Sequence, residues 1–496
     1  MSLEIILLGL SVLFLLSIMA GKASSKFGVP ALLLFLLVGM LCGSDGLGIQ
    51  FDNTYVAQTV GTVALCIILF SGGMETKIAE IKPVLAQGLV LATVGVALMS
   101  VVTGVLVWFI LGMTMQGAGI GLATSLLLAS TMSSTDSASV FAILRSKGLH
   151  LKNNLRPMLE LESGSNDPMA YILVLVFMDI VKAGSDAVSV WYVLGMVAMQ
   201  LCVGMLAGFA FGKLAVWAIN RIKIDNASLY PILVFTFCIF IFSATYFMKG
   251  NGYLAVYIGG LVIGNSSFQH KRSTMGFFNG LTWLFQLLMF LTLGLLVNPH
   301  ELLDVWIPGL IISVVMIFIS RPISVMLSLL PFRKIGIRDK IYVSWCGLRG
   351  AVPIIFAIMP LAADVPQARF IFNIVFFCTL VSLLVQGTSL PAIAKWLKLD
   401  DQPDSLKGLE DFDVDFSDEI KSVTTEITVT DKVLECGNRL MDWGLPDKTL
   451  VVMVKRGGKF FVPTGKTVLH EGDKLLVITD DQNALKETYK TLHIAG

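Results

Sequence analysis

The stretch Ser130-Thr131-Met132-Ser133-Ser134-Thr135-Asp136-Ser137 sits in the middle of an apolar run covering 117–144. A helix needs about 20 apolar residues to cross a bilayer, and this run is long enough. A carboxylate at its centre is costly, and such residues mark functional sites by default. The hydroxyls packed around it offer the backbone alternative hydrogen bonds and permit local unwinding. The run therefore reads as a crossing helix interrupted at mid-membrane, with freed peptide carbonyls beside Asp136.

The rest of the chain shares this character. Its 496 residues are 55% hydrophobic and 14% charged, with a mean hydropathy of +0.80. A soluble domain carries roughly 25% charged residues. The composition predicts an α-helical polytopic membrane protein. Candidate spans fall near 3–21, 29–43, 56–74, 84–111, 117–144, 157–181, 189–219, 229–248, 251–267, 277–297, 305–330, 341–362 and 368–394, about thirteen in all. The first run lacks a basic leader and a cleavage site, so it is expected to remain as a span. The seven cysteines lie singly, most of them in apolar runs, and are expected to be buried small hydrophobes rather than a metal or disulfide framework.

Loop charges fix an orientation. Loops on one side carry Lys22, Lys26, Lys77, Lys82, Arg145, Lys147, Lys152, Arg156 and more, roughly eighteen basic residues. The other side holds little beyond Lys182, Lys249 and Arg369. Basic loops stay in the cytoplasm, which predicts a bacterial inner-membrane protein with its N-terminus outside and its C-terminus inside.

The apolar domain is expected over 1–400, followed by an acidic linker over 401–416 and a small cytoplasmic α+β domain over 417–496. In that last segment the pattern predicts strands 423–429, 449–455, 459–463 and 473–479, with helices 431–441 and 482–492.

Two further polar stretches lie inside spans. Glu162-Ser163-Gly164-Ser165-Asn166-Asp167-Pro168 sets 162 against 166, and 163 against 167, at i,i+4 spacing on one helix face. Pro168 has no N–H, which frees the Gly164 carbonyl. Trp345-Cys346-Gly347-Leu348-Arg349-Gly350-Ala351-Val352-Pro353 holds an arginine between glycines, and Arg349 stays charged at any accessible pH. It needs a buried carboxylate, and Glu162 is the expected partner. Arg321-Pro322 reads as a packing or kink device; Glu75 and Asp179 read as span-end residues and Glu160 as a solvated one. The spans carrying Asp136 and Arg349 are fifth and twelfth. An offset of seven makes them cross in opposite directions, the mark of inverted repeats with interrupted helices at a midplane transport site.

Two carboxylates in a dry site cannot both stay ionised unless a cation lies between them. Asp167 and Asp136 are expected to bind an alkali cation or a proton in competition, with Ser163 and the Thr135 carbonyl assisting and Glu162 close by. Asn166 is expected to donate hydrogen bonds that hold the carboxylates. Being neutral, it leaves one ionisable group fewer than an Asp-Asp pair would, which favours electroneutral exchange.

Thr135-Asp136, Glu162…Asn166-Asp167-Pro168 and Gly347-Leu348-Arg349-Gly350-Ala351-Val352 together resemble the monovalent cation:proton antiporter family, in its NhaP-like sodium/proton exchanger branch. Phe70-Ser71-Gly72-Gly73-Met74-Glu75, Gly252-Tyr253-Leu254-Ala255-Val256 and Gln386-Gly387 look like further family blocks. The resemblance covers about 1–400. It implies a homodimer in which a core moves against a dimerisation domain, ion binding by Asp167 and Asp136, and a Glu162–Arg349 pair. Ser137 departs from it, because many relatives carry proline there. The tail, with Val451–Arg456 and Leu469–Val477, is similar to TrkA-C-type regulatory domains. That similarity implies a possible small-molecule regulator and tilts the cation toward K⁺ over Na⁺. No Gly-rich dinucleotide fingerprint accompanies it, and no cofactor or nucleic-acid partner is expected.

A regulated K⁺ channel is the competing reading. A filter needs a Thr-Val-Gly-Tyr-Gly-like loop. The nearest strings, Thr59-Val60-Gly61-Thr62 and Thr93-Val94-Gly95-Val96, lie in helical runs and lack Tyr-Gly. An enzyme is disfavoured, because no nucleophile–base pair, metal motif or cofactor fingerprint accompanies the acids.

Overall fold

The computed structural model describes residues 3–27, 30–114, 120–184, 189–222, 224–401, 423–434, 437–446, 449–457 and 459–479. It divides into two units, Met1–Asp401 and Gln402–Gly496.

In the first unit, eight described helices are long and apolar enough to cross a membrane: Thr54–Glu75, Ile78–Met113, Leu155–Ala183, Val190–Arg221, Leu229–Phe247, Lys271–Leu296, Trp306–Ser328 and Ala368–Trp396. Five shorter apolar helices, Leu7–Lys22, Ala31–Cys42, Leu122–Thr131, Gly252–Gly264 and Ala351–Ala362, fall on the remaining expected spans. The fifth span is broken into Leu122–Thr131 and Ser137–Ser146, and the twelfth into Ile337–Trp345 and Ala351–Ala362.

The offset of seven runs through three consecutive spans. The fourth and eleventh each contain a π-helical turn, at Leu91–Gly95 and Met316–Ser320. The fifth and twelfth are both interrupted. The sixth and thirteenth each carry a proline inside the helix, Pro168 and Pro391. A π turn inserts a residue and leaves carbonyls poorly matched. The Ser324 hydroxyl donates to one of these, the Gly95 carbonyl, at 2.5 Å, joining the two π-containing helices.

Five of the six described cysteines are buried. Cys202 departs from the expectation: it is exposed, on a helix whose Leu206 and Phe209 also face outward.

The second unit holds a four-stranded antiparallel sheet ordered β3-β6-β4-β5, where β3 is Val423–Thr428, β4 Thr449–Arg456, β5 Lys459–Phe461 and β6 Lys474–Thr479. The two remaining strands, β1 (His150–Leu151) and β2 (Asp400–Asp401), pair within the first unit. Ile427, Val429, Val433, Trp443, Val454 and Leu475 form the core of the sheet domain. The expected continuous helix 431–441 is not found. One turn, Asp431–Leu434, precedes Gly437 at φ +129°, a backbone region that favours glycine, and Leu440–Trp443 is a 3₁₀ turn. The expected linker 401–416, beyond Asp401, and helix 482–492 lie outside the described residues.

Candidate cation and proton site

The two broken spans meet at their breaks. The Asp136 amide donates to the Leu348 carbonyl at 2.8 Å. Each break leaves orphan backbone groups that need partners in a dry environment. The following span supplies them in both halves. At the second break, Ser382 Oγ accepts from the Arg349 amide at 3.0 Å, and Gln386 Nε2 donates to the Trp345 carbonyl at 2.9 Å. At the first, Ser163 Oγ accepts from the Ser137 amide at 3.0 Å and donates to the Thr135 carbonyl at 2.9 Å.

Asp136 sits where two half-helices begin. It precedes Ser137–Ser146 and accepts from the Ser139 amide at 3.0 Å and from the Ser139 hydroxyl. Its carboxylate also lies against Gly350, which precedes Ala351–Ala362; a Cβ at Gly350 would meet Asp136 Oδ2 at 2.2 Å. Helix N-termini favour negative charge, so the two ends hold this acid in place. Asp167, buried at 5% exposure, accepts from the Ser134 hydroxyl.

A single cavity is lined by Thr135, Asp136, Ser137, Ser163, Gly164 and Asp167, and also by Glu75, Arg156, Glu160 and Tyr257. The structure thus brings together Asp167, Asp136, Ser163 and Thr135. These are hard oxygen donors of the kind alkali cations take. The lining grades from exposed Glu75 through half-buried Glu160 to buried Asp167.

Several expectations need correction. Glu162 is paired with Arg321, not with Arg349: Arg321 Nη2 donates to Glu162 Oε1 at 2.6 Å, with both side chains almost fully buried. Glu162 is not among the residues lining the cavity. The π turn at Met316–Ser320 immediately precedes Arg321 and sets the rotation that turns it inward. Arg349 instead donates through Nη1 to the Ser134 carbonyl, a peptide group freed in the break that follows Leu122–Thr131.

Asn166 also differs from its expected role. Its Nδ2 donates to Thr135 Oγ1 at 2.6 Å rather than to a carboxylate, and its buried Oδ1 has no hydrogen-bond partner among the described residues. Glu75 and Glu160, expected as span-end and solvated acids, both line the cavity. Their signal was the sign of the charge alone, since both acids lie near span ends.

The sodium/hydrogen exchanger transmembrane family model matches residues 11–396, and the TrkA-C domain model matches 425–493. The chain belongs to the sodium/hydrogen exchanger family. It is a multi-pass inner-membrane antiporter that exchanges a cation for protons, not an enzyme. It is 38% identical over 483 residues to the K(+)/H(+) antiporter NhaP of Alkalimonas amylolytica, covering 96% of this chain and 81% of that protein. It is 38% identical over 473 residues to the K(+)/H(+) antiporter NhaP2 of Shewanella sp. strain ANA-3, covering 94% and 80%. The Na(+)/H(+) antiporter NhaH of Halobacillus aidingensis is 26% identical over 395 residues, covering 75% of this chain and 92% of that protein. Among solved structures, the sodium proton antiporter MjNhaP1 of Methanocaldococcus jannaschii at pH 8 superposes with a TM-score of 0.67 at 21% identity, covering 78% of this chain and all of that one. The likeness shows the fold, thirteen spans with inverted repeats.

Proposed function

We propose that this antiporter exchanges K⁺ for H⁺, with Asp167 and Asp136 as the groups for which the two compete. The observation that carries the reading is the shared cavity: both carboxylates line it with Thr135 and Ser163. A buried carboxylate must be neutralised by a cation or a proton to be tolerated. If only the neutralised site can cross, exchange is obligatory. Asp136, capped by a helix end, stays anchored, while Asp167 accepts one hydroxyl and is the group whose proton is exchanged. Potassium is preferred because the relatives named K(+)/H(+) antiporters share 36% to 38% identity, against 26% for the Na(+)/H(+) antiporter NhaH.

Glu162 serves as a structural ion-pair member rather than a ligand, and Arg349 and Asn166 organise the first break. Exchange is electroneutral, since Asn166 stands where a second acid would raise the charge. The protein works as a homodimer with its N-terminus outside. The 417–496 domain faces the cytoplasm and answers to a small-molecule regulator.

Purified protein in liposomes with an imposed pH gradient tests this. Addition of K⁺ should collapse the gradient, more effectively than Na⁺ or Li⁺, and Asp167→Asn should abolish the response. Unchanged exchange in that variant overturns the site. A rate that follows membrane voltage overturns electroneutrality.

A further inference from the structure

The cavity contains a residue that a cation path ought to avoid. Arg156 lines it together with Asp136, Ser163 and Asp167. A guanidinium is charged at every accessible pH and repels an approaching alkali cation. Arg156 is held in place by two neighbours that line the same cavity. Its Nε donates to Glu160 Oε1 at 2.9 Å, one helical turn on, and its guanidinium lies 5.8 Å from the Phe141 ring centroid. The Arg156 side chain is 52% exposed and that of Glu160 24%.

The pair has little structural purpose. An exposed i,i+4 ion pair adds little to stability, and the helix Leu155–Ala183 is secured by its buried face. The position of the pair is informative instead. The pair lines the same cavity as exposed Glu75 and buried Asp167, and Glu160, with a side chain 24% exposed, is intermediate in burial between them. Charges in a cleft with low-dielectric walls act on an incoming ion far more than charges on an open surface.

We propose that Arg156 and Glu160 form a charge gate at the entrance to the ion site, setting how readily the cation is captured without taking part in its binding. The inference rests on the cation reading above. Paired, the two side chains cancel and the remaining acids draw the cation inward. With Glu160 neutralised, Arg156 stands uncompensated in the path. With Arg156 neutralised, Glu160 joins the acids that attract. The gate thus acts on apparent affinity, with opposite sign for its two members.

The test uses the full-length protein in liposomes, with exchange rates measured across a K⁺ series for the wild type, Arg156→Gln, Glu160→Gln and the double variant. Arg156→Gln should lower the half-saturating K⁺ concentration by about threefold and Glu160→Gln should raise it by about threefold, as expected for one unit charge at a few ångströms from the path in a partly aqueous cleft. The double variant should return near the wild type, and maximal rates should stay within about twofold. Both shifts should shrink when choline chloride raises the ionic strength, because exposed charges are screened. A structural role would instead lower the maximal rate in both single variants, without opposite signs and without salt dependence. Shifts of the same sign, or none, in variants that still exchange overturn the gate and leave the site reading intact. A wild type that exchanges no alkali cation for protons overturns the cation reading itself.

Discussion

The Asp136 amide donates to the Leu348 carbonyl, so the carboxylate of one interrupted span is tied through its own backbone to the break in the other. The closeness of the two breaks decides what the neighbouring residues can be.

Gly350 is the tightest of these constraints. Any β-carbon there would overlap Asp136 Oδ2. Gly350→Ala should displace the carboxylate and cut transport by about tenfold or more, while the protein still inserts and remains folded. Proteoliposome exchange measured beside size-exclusion behaviour checks this. Full activity in Gly350→Ala would mean that Asp136 is not held where it is needed.

The Arg321–Glu162 pair is buried on both sides. Removing one member leaves an uncompensated charge, a loss of about 3–5 kcal/mol, whereas removing both is far milder. Arg321→Leu should therefore lower the melting temperature in detergent strongly, and Arg321→Leu with Glu162→Leu should recover most of it. Failure of the double variant to recover would argue against a closed pair.

Ser137 donates its amide to Ser163 Oγ, and a proline there could not. Ser137 is the first residue of its half-helix, a position that accepts proline. Ser137→Pro should fold normally and free one lone pair of Ser163. A hydrogen bond contributes about 1 kcal/mol net, so the half-saturating cation concentration should fall by about threefold to fivefold. A Michaelis series in liposomes reads this directly, and a rise would show that the amide orients Ser163 rather than occupying it.

Glu301, on the short helix Pro299–Asp304, makes a bidentate pair with Arg369, at 2.8 and 2.9 Å, and accepts from Asn373 at 2.9 Å. The Arg369 fork pulls the Glu301 carboxyl down to about 2, with the Asn298 and Asn373 amides assisting against partial burial. A lowered folded-state value gives stability that is present above the ordinary glutamate range and is lost as the pH falls toward 2. The stability gap between wild type and Glu301→Gln should be constant from pH 7 to about 5 and narrow below about 4.5. Thermal melts across that range would show it, and a gap that widens on acidification would contradict the pair.

The spans, the two breaks and four residues of the cavity could be read from residues alone, because length and the cost of a buried acid are local properties. Arg321 could not. Its inward direction comes from the π turn at Met316–Ser320, an inserted residue that leaves no mark in the apolar pattern, so Arg321-Pro322 looked like a kink. Glu75 and Glu160 were misplaced because a residue near a span end looks solvated until the neighbouring helices show that the end opens into a cleft. In the second unit, helical periodicity through 431–441 is overruled at Gly437, whose positive φ turns the chain away.

The bond between the two breaks has a further consequence. Asp136 and Arg349 share one knot of backbone, so neither can slide past the other while the protein cycles. On the proposed site, an ion between Asp136 and Asp167 would travel together with both breaks.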